Sequence, residues 1–208
     1  MVSGRVAHAD HPSIGWPPSS LALGPVAVLV PVKAFAEAKL RLAPALSPHE
    51  RAALARQMAQ RVLASAGKLP TAVVCDDSEV ATWARNQGAL VIWEPGRGLN
   101  GAVQAGVDRL ASTGVGRVIV AAGDLPLARE LAWVAAFDGV SIVPDRRRDG
   151  TNVICVPTRS GFGFSYGPGS FSRHVAEAEE RGLPVRVCDS PLLGWDVDFP
   201  EDLLAIRP

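Results

Sequence analysis

From Pro25 onward, short apolar runs alternate with stretches whose apolar residues recur every three or four positions. Residues 26–30 are continuously apolar, the pattern of a strand covered on both faces. Ser47-Pro48-His49-Glu50 predicts a helix start: Ser47 caps, Pro48 suits the first turn, and Glu50 completes a capping box. Leu54, Met58, Val62 and Ala66 follow at four-residue spacing, and Gly67 closes the helix. The same reading predicts strands over 71–75, 89–93, 117–121, 140–143, 152–156 and 185–188. It predicts helices over 78–87, 100–111, 170–181 and 200–206. Strands alternating with helices argue for an α/β layer fold around a largely parallel sheet. Ligands of such sheets bind beyond the carboxyl ends of the strands, so the segments that follow strands carry the functional information.

Composition narrows the class. The chain has 208 residues, 48% hydrophobic and 20% charged, as in ordinary globular domains. Its 21 Lys and Arg balance its 21 Asp and Glu, which excludes the broad basic field of a general nucleic-acid binder. The longest apolar runs, such as 26–32 with Pro31 inside, fall far below a membrane span. Cys75, Cys155 and Cys188 are far apart and form no CxxC or Cys/His pair, as expected of reduced thiols on or near strands in a cytoplasmic protein. Residues 1–24 are rich in Pro, Ser, Gly and His and lack the pattern of a signal peptide. They are expected to form a mobile extension, and residues 25–208 one domain.

Three cations, Lys33, Lys39 and Arg41, fall within nine positions directly after the first strand. Such a loop suits a polyphosphate, with Lys as a point charge and Arg as a fork. A solvated basic loop is the plainer alternative, and the segment is not a Walker loop. The strand over 117–121 ends in Gly123-Asp124-Leu125-Pro126, which places Asp124 to hold Mg²⁺ against a phosphate; a turn aspartate is the alternative. In Asp196-Val197-Asp198, strand alternation puts both carboxylates on one face, where they repel unless a cation lies between them. Glu201 and Asp202 fit a helix-dipole role. Asp149-Gly150-Thr151-Asn152 turns into a strand, and Tyr166-Gly167-Pro168-Gly169-Ser170 precedes a helix whose amides suit an anion, with Ser170 alternatively only a cap. Gly96-Arg97-Gly98-Leu99-Asn100-Gly101 is a literal GxGxxG, the fingerprint of an NAD(P)-dependent oxidoreductase. It follows the third strand rather than the first, however, with Glu94-Pro95 between. Histidines 8, 11, 49 and 174 form no ligand set, no nucleophile elbow is present, and the five tryptophans read as packing residues.

Taken in order, these segments resemble the nucleotidyltransferases of coenzyme F420 biosynthesis, the 2-phospho-L-lactate and phosphoenolpyruvate guanylyltransferases. The carrying residues are Pro31-Val32-Lys33 with Lys39 and Arg41-Leu42, residues 46–51, Gly98-Leu99-Asn100 and residues 123–126. They continue with residues 149–152, 166–170 and 196–198 before Pro200-Glu201-Asp202-Leu203. The resemblance runs from Pro25 to the C-terminus. It implies a single-domain Rossmann-like fold of the glycosyltransferase-A type, with a mostly parallel mixed sheet and helices on both faces. It implies Mg²⁺-dependent transfer of GMP from GTP to the phosphate of phosphoenolpyruvate, with release of pyrophosphate. Asp124 and Asp198 are then the metal ligands, with Asp196 a nearby candidate. Lys33, Lys39 and Arg41 face the triphosphate, Gly98, Leu99 and Asn100 serve the nucleotide, and Thr151, Gly167 and Ser170 bind the acceptor. The partners implied are GTP and a small phosphorylated carboxylic acid, with neither nucleic acid nor membrane. The alternative acceptors are 2-phospho-L-lactate and 3-phospho-D-glycerate, and the oligomeric state is open. One departure from related sugar-nucleotide enzymes stands out: their Gly-rich first loop is replaced here by a Lys-rich one without glycine from Pro31 to Arg41.

Overall fold

Strand β1 (Val26–Pro31) buries both faces, as its unbroken apolar run requires. The computed structural model describes residues 23–205. Most of the expected extension, with His8, His11 and Trp16, and the last positions of the expected terminal helix lie outside the described residues. Leu23 already packs against the core, so the folded part begins slightly before the expected boundary.

The chain continues through α1 (Pro48–Ser65), β2 (Thr71–Cys75), α2 (Ser78–Asn86), β3 (Leu90–Trp93), α3 (Gly98–Ser112) and β4 (Arg117–Ala121). It ends through β5 (Val140–Pro144), β6 (Thr151–Pro157), α4 (Ser170–Glu180) and β7 (Val185–Val187). The capping box that opens α1 is formed: Ser47 Oγ accepts the Glu50 N–H at 3.3 Å, and the Glu50 carboxylate accepts the Ser47 N–H at 2.8 Å. Two expectations are corrected. The terminal segment is a 3-10 helix, Pro200–Ala205, and residues 195–198 are loop rather than strand.

The seven strands form one sheet in the order β3-β2-β1-β4-β6-β5-β7. All neighbours are parallel except β6, which runs against both β4 and β5. Alternation along β1 splits the core in two. Val28 and Val30 face Phe35, Ala59, Val62 and Trp83 on one side. Ala27 and Leu29 face Val103, Val107 and Leu110 of α3 on the other. Gly106 allows that second contact, because a Cβ there would lie 2.6 Å from a Leu29 methyl. Each fully buried aliphatic side chain contributes about 1.5–3 kcal/mol.

This topology fixes where a ligand binds. The chain leaves β1 toward β2, while β4 lies on β1's other side, so a crevice opens beyond the carboxyl ends of β1 and β4. Because β6 is reversed, its first residues come to the same edge. The Ala122 N–H donates to the Asn152 carbonyl at 2.8 Å, which sets Thr151 beside Gly123 and Asp124.

Candidate active site

The loop after β1 winds through two short 3-10 turns, Phe35–Glu37 and Leu40–Leu42, joined at Lys39. Lys39 has a left-handed backbone, φ 55°, which turns its side chain inward to 11% exposure. Its Nζ donates to Asp124 Oδ2 at 2.5 Å and to Asp198 Oδ1 at 3.1 Å. The two aspartates, far apart in sequence, thus share one ammonium group. Burial lowers the Lys39 pKa, but the two carboxylates more than offset it and the net shift is upward. Arg41 reaches Asp198 Oδ2 at 3.4 Å and lies 5.3 Å over the Phe199 ring. Lys33 is exposed and has no partner among the described residues.

These side chains line a cleft of about 430 Å³ between the β1 loop, the inner face of α1 and the Gly123–Asp124 turn, with Leu99 on its rim. A wider hollow of about 950 Å³ lies between the end of α1 and Trp133 and contains none of the sequence-predicted residues. Polar chemistry converges in the smaller cleft, at the topological switch point, so that cleft is the candidate site.

Asp198 is held by a residue that the sequence reading assigned to a helix dipole. Asp202 is 1% exposed, and its Oδ2 accepts the N–H groups of Asp198 and Phe199, both at 2.8 Å. Its other oxygen accepts from Arg146. Burial raises the Asp202 carboxyl, but these amides and the guanidinium outweigh it and hold it below the ordinary range. Asp196 behaves differently. It is 9% exposed, and its Oδ1 is buried without a hydrogen-bond partner. Burial, with Asp124 and Asp198 nearby, pushes its carboxyl up to about 6. Among the described residues no three His, Cys, Asp or Glu side chains converge as a metal cage. The Asp124–Asp198 pair still fits Mg²⁺, which takes one or two carboxylates and completes its shell with phosphate and water. The buried ammonium between the two acids shows that this point already accommodates a cation.

A second polar cluster, at the start of β6 and outside the lining of that cleft, is neutral. Thr151 and Ser170 are 5% and 2% exposed. The Thr151 N–H donates to Ser170 Oγ at 3.0 Å. His174, fully buried, places Nδ1 3.0 Å from Thr151 Oγ1, and its Nε2 accepts the Ser165 N–H at 3.0 Å. Burial, then the neighbouring Arg173, lowers its pKa to about 4 despite Glu177. With Nε2 taken by the Ser165 N–H, a neutral His174 donates from Nδ1 to Thr151 Oγ1, which leaves the Thr151 hydroxyl proton, like that of Ser170, without an acceptor among the described residues.

The amides at the start of α4 are engaged within the protein. Gly169, φ 72°, is the helix N-cap and Ser170 the first helical residue. The amides point elsewhere: Ser170 N–H to Gly167 O, Phe171 N–H to Asp149 O, and Gly169 N–H to Asp149 Oδ1, each at 3.0 Å. Asp149 therefore supplies the helix's anion from within. It is positioned by Asp145, whose carboxylate accepts the N–H groups of Arg147, Asp149 and Gly150. Gly167 is exposed in the same loop.

The Asn100 amide is engaged within the protein. It accepts the Tyr166 N–H at 2.6 Å and approaches the Tyr166 carbonyl at 3.5 Å, tying the start of α3 to the 162–169 loop. Gly98, φ 62°, opens α3, but this loop follows the edge strand β3 rather than β1, so the GxGxxG pattern misses the place where a dinucleotide pyrophosphate binds. The cysteines are buried and free, with burial pushing Cys75 up to about 11 and raising Cys155 and Cys188, as expected of unreactive thiols. Among the described residues no helix is long and apolar enough to cross a membrane.

Residues 26–207 match the family model described as guanylyl transferase CofC like. A phosphoenolpyruvate guanylyltransferase of Rubrobacter xylanophilus is 40% identical over 192 residues, covering 88% of this chain and 93% of that protein. A 2-phospho-L-lactate guanylyltransferase of Methanothermobacter thermautotrophicus is 34% identical over 182 residues, covering 84% and 81%. A solved nucleotidyl transferase from the same organism shares the fold, with a TM-score of 0.63 at 17% identity over 88% of this chain and 95% of that one.

Proposed function

The chain belongs to the CofC-like guanylyl transferase family, and from that premise we propose that it moves GMP from GTP to the phosphate of phosphoenolpyruvate in coenzyme F420 biosynthesis. The observation that carries this reading is the convergence of Asp124 and Asp198 on one cation position, at the mouth of a cleft that Lys33 and Arg41 also line. The choice of acceptor follows the name of the 40%-identical relative, and 2-phospho-L-lactate is the second reading.

In the reaction, an acceptor phosphate oxygen forms a bond to the α-phosphorus of GTP, and the bond from that phosphorus to the bridging oxygen breaks. The electron pair leaves with pyrophosphate. The nucleophile is already an anion, so no side chain needs to remove a proton. The barrier is repulsion between two anions, together with charge building on the leaving group. Mg²⁺ held by Asp124 and Asp198 would supply charge neutralisation at the phosphates. Lys33, exposed and unpaired, and Arg41, only loosely held to Asp198, provide further positive charge at the cleft. Asp202 keeps Asp198 in place through the two backbone amides.

The acceptor lies at the β6 edge of the crevice in this proposal. Thr151 and Ser170 meet there, each hydroxyl oxygen accepting a hydrogen bond from the protein and each proton unengaged. Two such donors side by side suit a phosphate or carboxylate oxygen. The test is to incubate the protein with GTP and Mg²⁺ plus phosphoenolpyruvate, 2-phospho-L-lactate or 3-phospho-D-glycerate in separate reactions, and to identify the product by mass. Enolpyruvyl-diphosphoguanosine as the dominant product supports the proposal. Product only with another acid moves the acceptor assignment, and no product with any of them overturns the reading.

A further inference from the structure

We propose that His174 is a positioning residue of the acceptor site, fixing the Thr151 hydroxyl as a hydrogen-bond donor toward the acceptor. This rests on the placement of the acceptor at Thr151 and Ser170 proposed above. Nε2 of His174 accepts the Ser165 N–H at 3.0 Å, so this nitrogen carries no proton. A neutral imidazole then has its one proton on Nδ1. Nδ1 lies 3.0 Å from Thr151 Oγ1 and donates to it. With its oxygen accepting, the Thr151 hydroxyl points its own proton away from the histidine. No acceptor for that proton exists among the described residues, so the orientation leaves a donor for a ligand.

The surroundings hold the ring in this role. Phe164 and Tyr166 meet it edge-on, with centroids 6.2 and 4.9 Å away, and Phe162 lies tilted at 5.8 Å. The Ser165 amide sits in the loop that carries Gly167, and Asn100 holds that loop through Tyr166. The imidazole therefore connects β6, α4 and the 162–169 loop through hydrogen bonds of fixed direction. The Thr151 N–H to Ser170 Oγ bond extends the same line to the second hydroxyl.

Two substitutions separate orientation from mere filling of space. In His174→Asn the side-chain amide can stand near Nδ1 and keep donating to Thr151. In His174→Gln the longer side chain can accept from Ser165 but leaves Thr151 undirected. Steady-state kinetics with the full chain should show His174→Gln raising the acceptor KM about tenfold, the value of roughly one hydrogen bond. The GTP KM should stay within about twofold of wild type, and His174→Asn should fall between wild type and His174→Gln on the acceptor axis. Equal effects of the two variants, or equal shifts in both KM values, overturn the proposal. Thr151→Val is the control for the underlying reading. An unchanged acceptor KM in Thr151→Val overturns the acceptor assignment and this inference with it. A raised KM there with His174→Gln unchanged overturns the inference alone. Nitrogen-15 NMR of the wild-type imidazole near neutral pH gives a readout that needs no variant to fold. A protonated Nδ1 with a bare Nε2 is expected, and the opposite tautomer contradicts the proposal.

Discussion

Two polar clusters near the carboxyl ends of β1 and β4 are built from opposite materials. At the carboxyl ends of β1 and β4, Lys39, Asp124, Asp198 and Arg41 form a partly exposed ionic cluster. At the start of β6, Thr151, Ser170 and His174 form a buried network without net charge. The ionic half works through charges whose partners are exchangeable: an ammonium occupies the point between two acids where the proposed reaction requires a metal. The neutral half works through direction, because each of its hydrogen bonds has a fixed donor and acceptor. A polyphosphate carries several charges and tolerates some freedom, whereas acids differing by a few atoms must be told apart by geometry.

The largest expected effect falls on the ionic half. Asp124→Asn should lower turnover roughly a thousandfold, the scale of removing one electrostatic stabiliser of the transition state. Its thermal unfolding should change little, because Asp124 is part-exposed and Lys39 keeps Asp198 as a partner. Near-normal turnover breaks the contrast at its root.

Next comes the buried brace beneath that half. Asp202→Ala strips Arg146 of a partner and frees two amides, so it should cost about 3 kcal/mol in urea unfolding. Turnover should fall with it, because Asp198 loses its anchor. A loss below about 1 kcal/mol would show that Asp198 is positioned without help.

A comparable loss is expected from acid in the neutral half. His174 has its pKa lowered to about 4 in the folded protein, against 6.5 unfolded. The unfolded chain therefore takes up the proton first. The stabilisation from a neutral His174 is complete above pH 6.5 and fades as pH falls toward 4, by up to about 3 kcal/mol. Unfolding free energy measured across that interval should drop more steeply for wild type than for His174→Gln. Parallel curves would mean that the ring already exchanges protons freely.

The smallest effect sharpens the division of labour. Ser170→Ala removes one hydroxyl donor and should raise the acceptor KM severalfold, about 1 kcal/mol, while sparing the GTP KM. A shift in the GTP KM instead would merge the two halves.

Much of this was legible in the sequence where a single segment carries its own signal. The apolar run of β1, the Ser47–Glu50 box and the turn at Gly123-Asp124 each report a local structure, and each appears where expected. The segment around Asp196 misled because an alternating pattern also arises in a loop. Its shape comes from Asp202 and Arg146, whose pairing spans 56 positions and leaves no periodic trace. Lys39 was identified as a site cation, but its partners lie 85 and 159 positions away, so its direction was not readable. No metal-ligand pattern surrounds His174 in the sequence. Its actual partners are a backbone amide and a hydroxyl, groups too common to form a motif. The partner of the Gly169 and Phe171 amides is Asp149, twenty positions upstream of Gly169, a pairing that leaves no trace in the sequence pattern.

In the proposed reaction Asp124 and Asp198 act together as the cation-holding pair. Their pairing can be read from Mn²⁺ binding to the protein in the presence of GTP, followed by electron paramagnetic resonance. Asp124→Asn and Asp198→Asn should each weaken Mn²⁺ binding about tenfold or more relative to wild type, on the scale of losing one charged ligand. Equal Mn²⁺ affinity in all three proteins would contradict it.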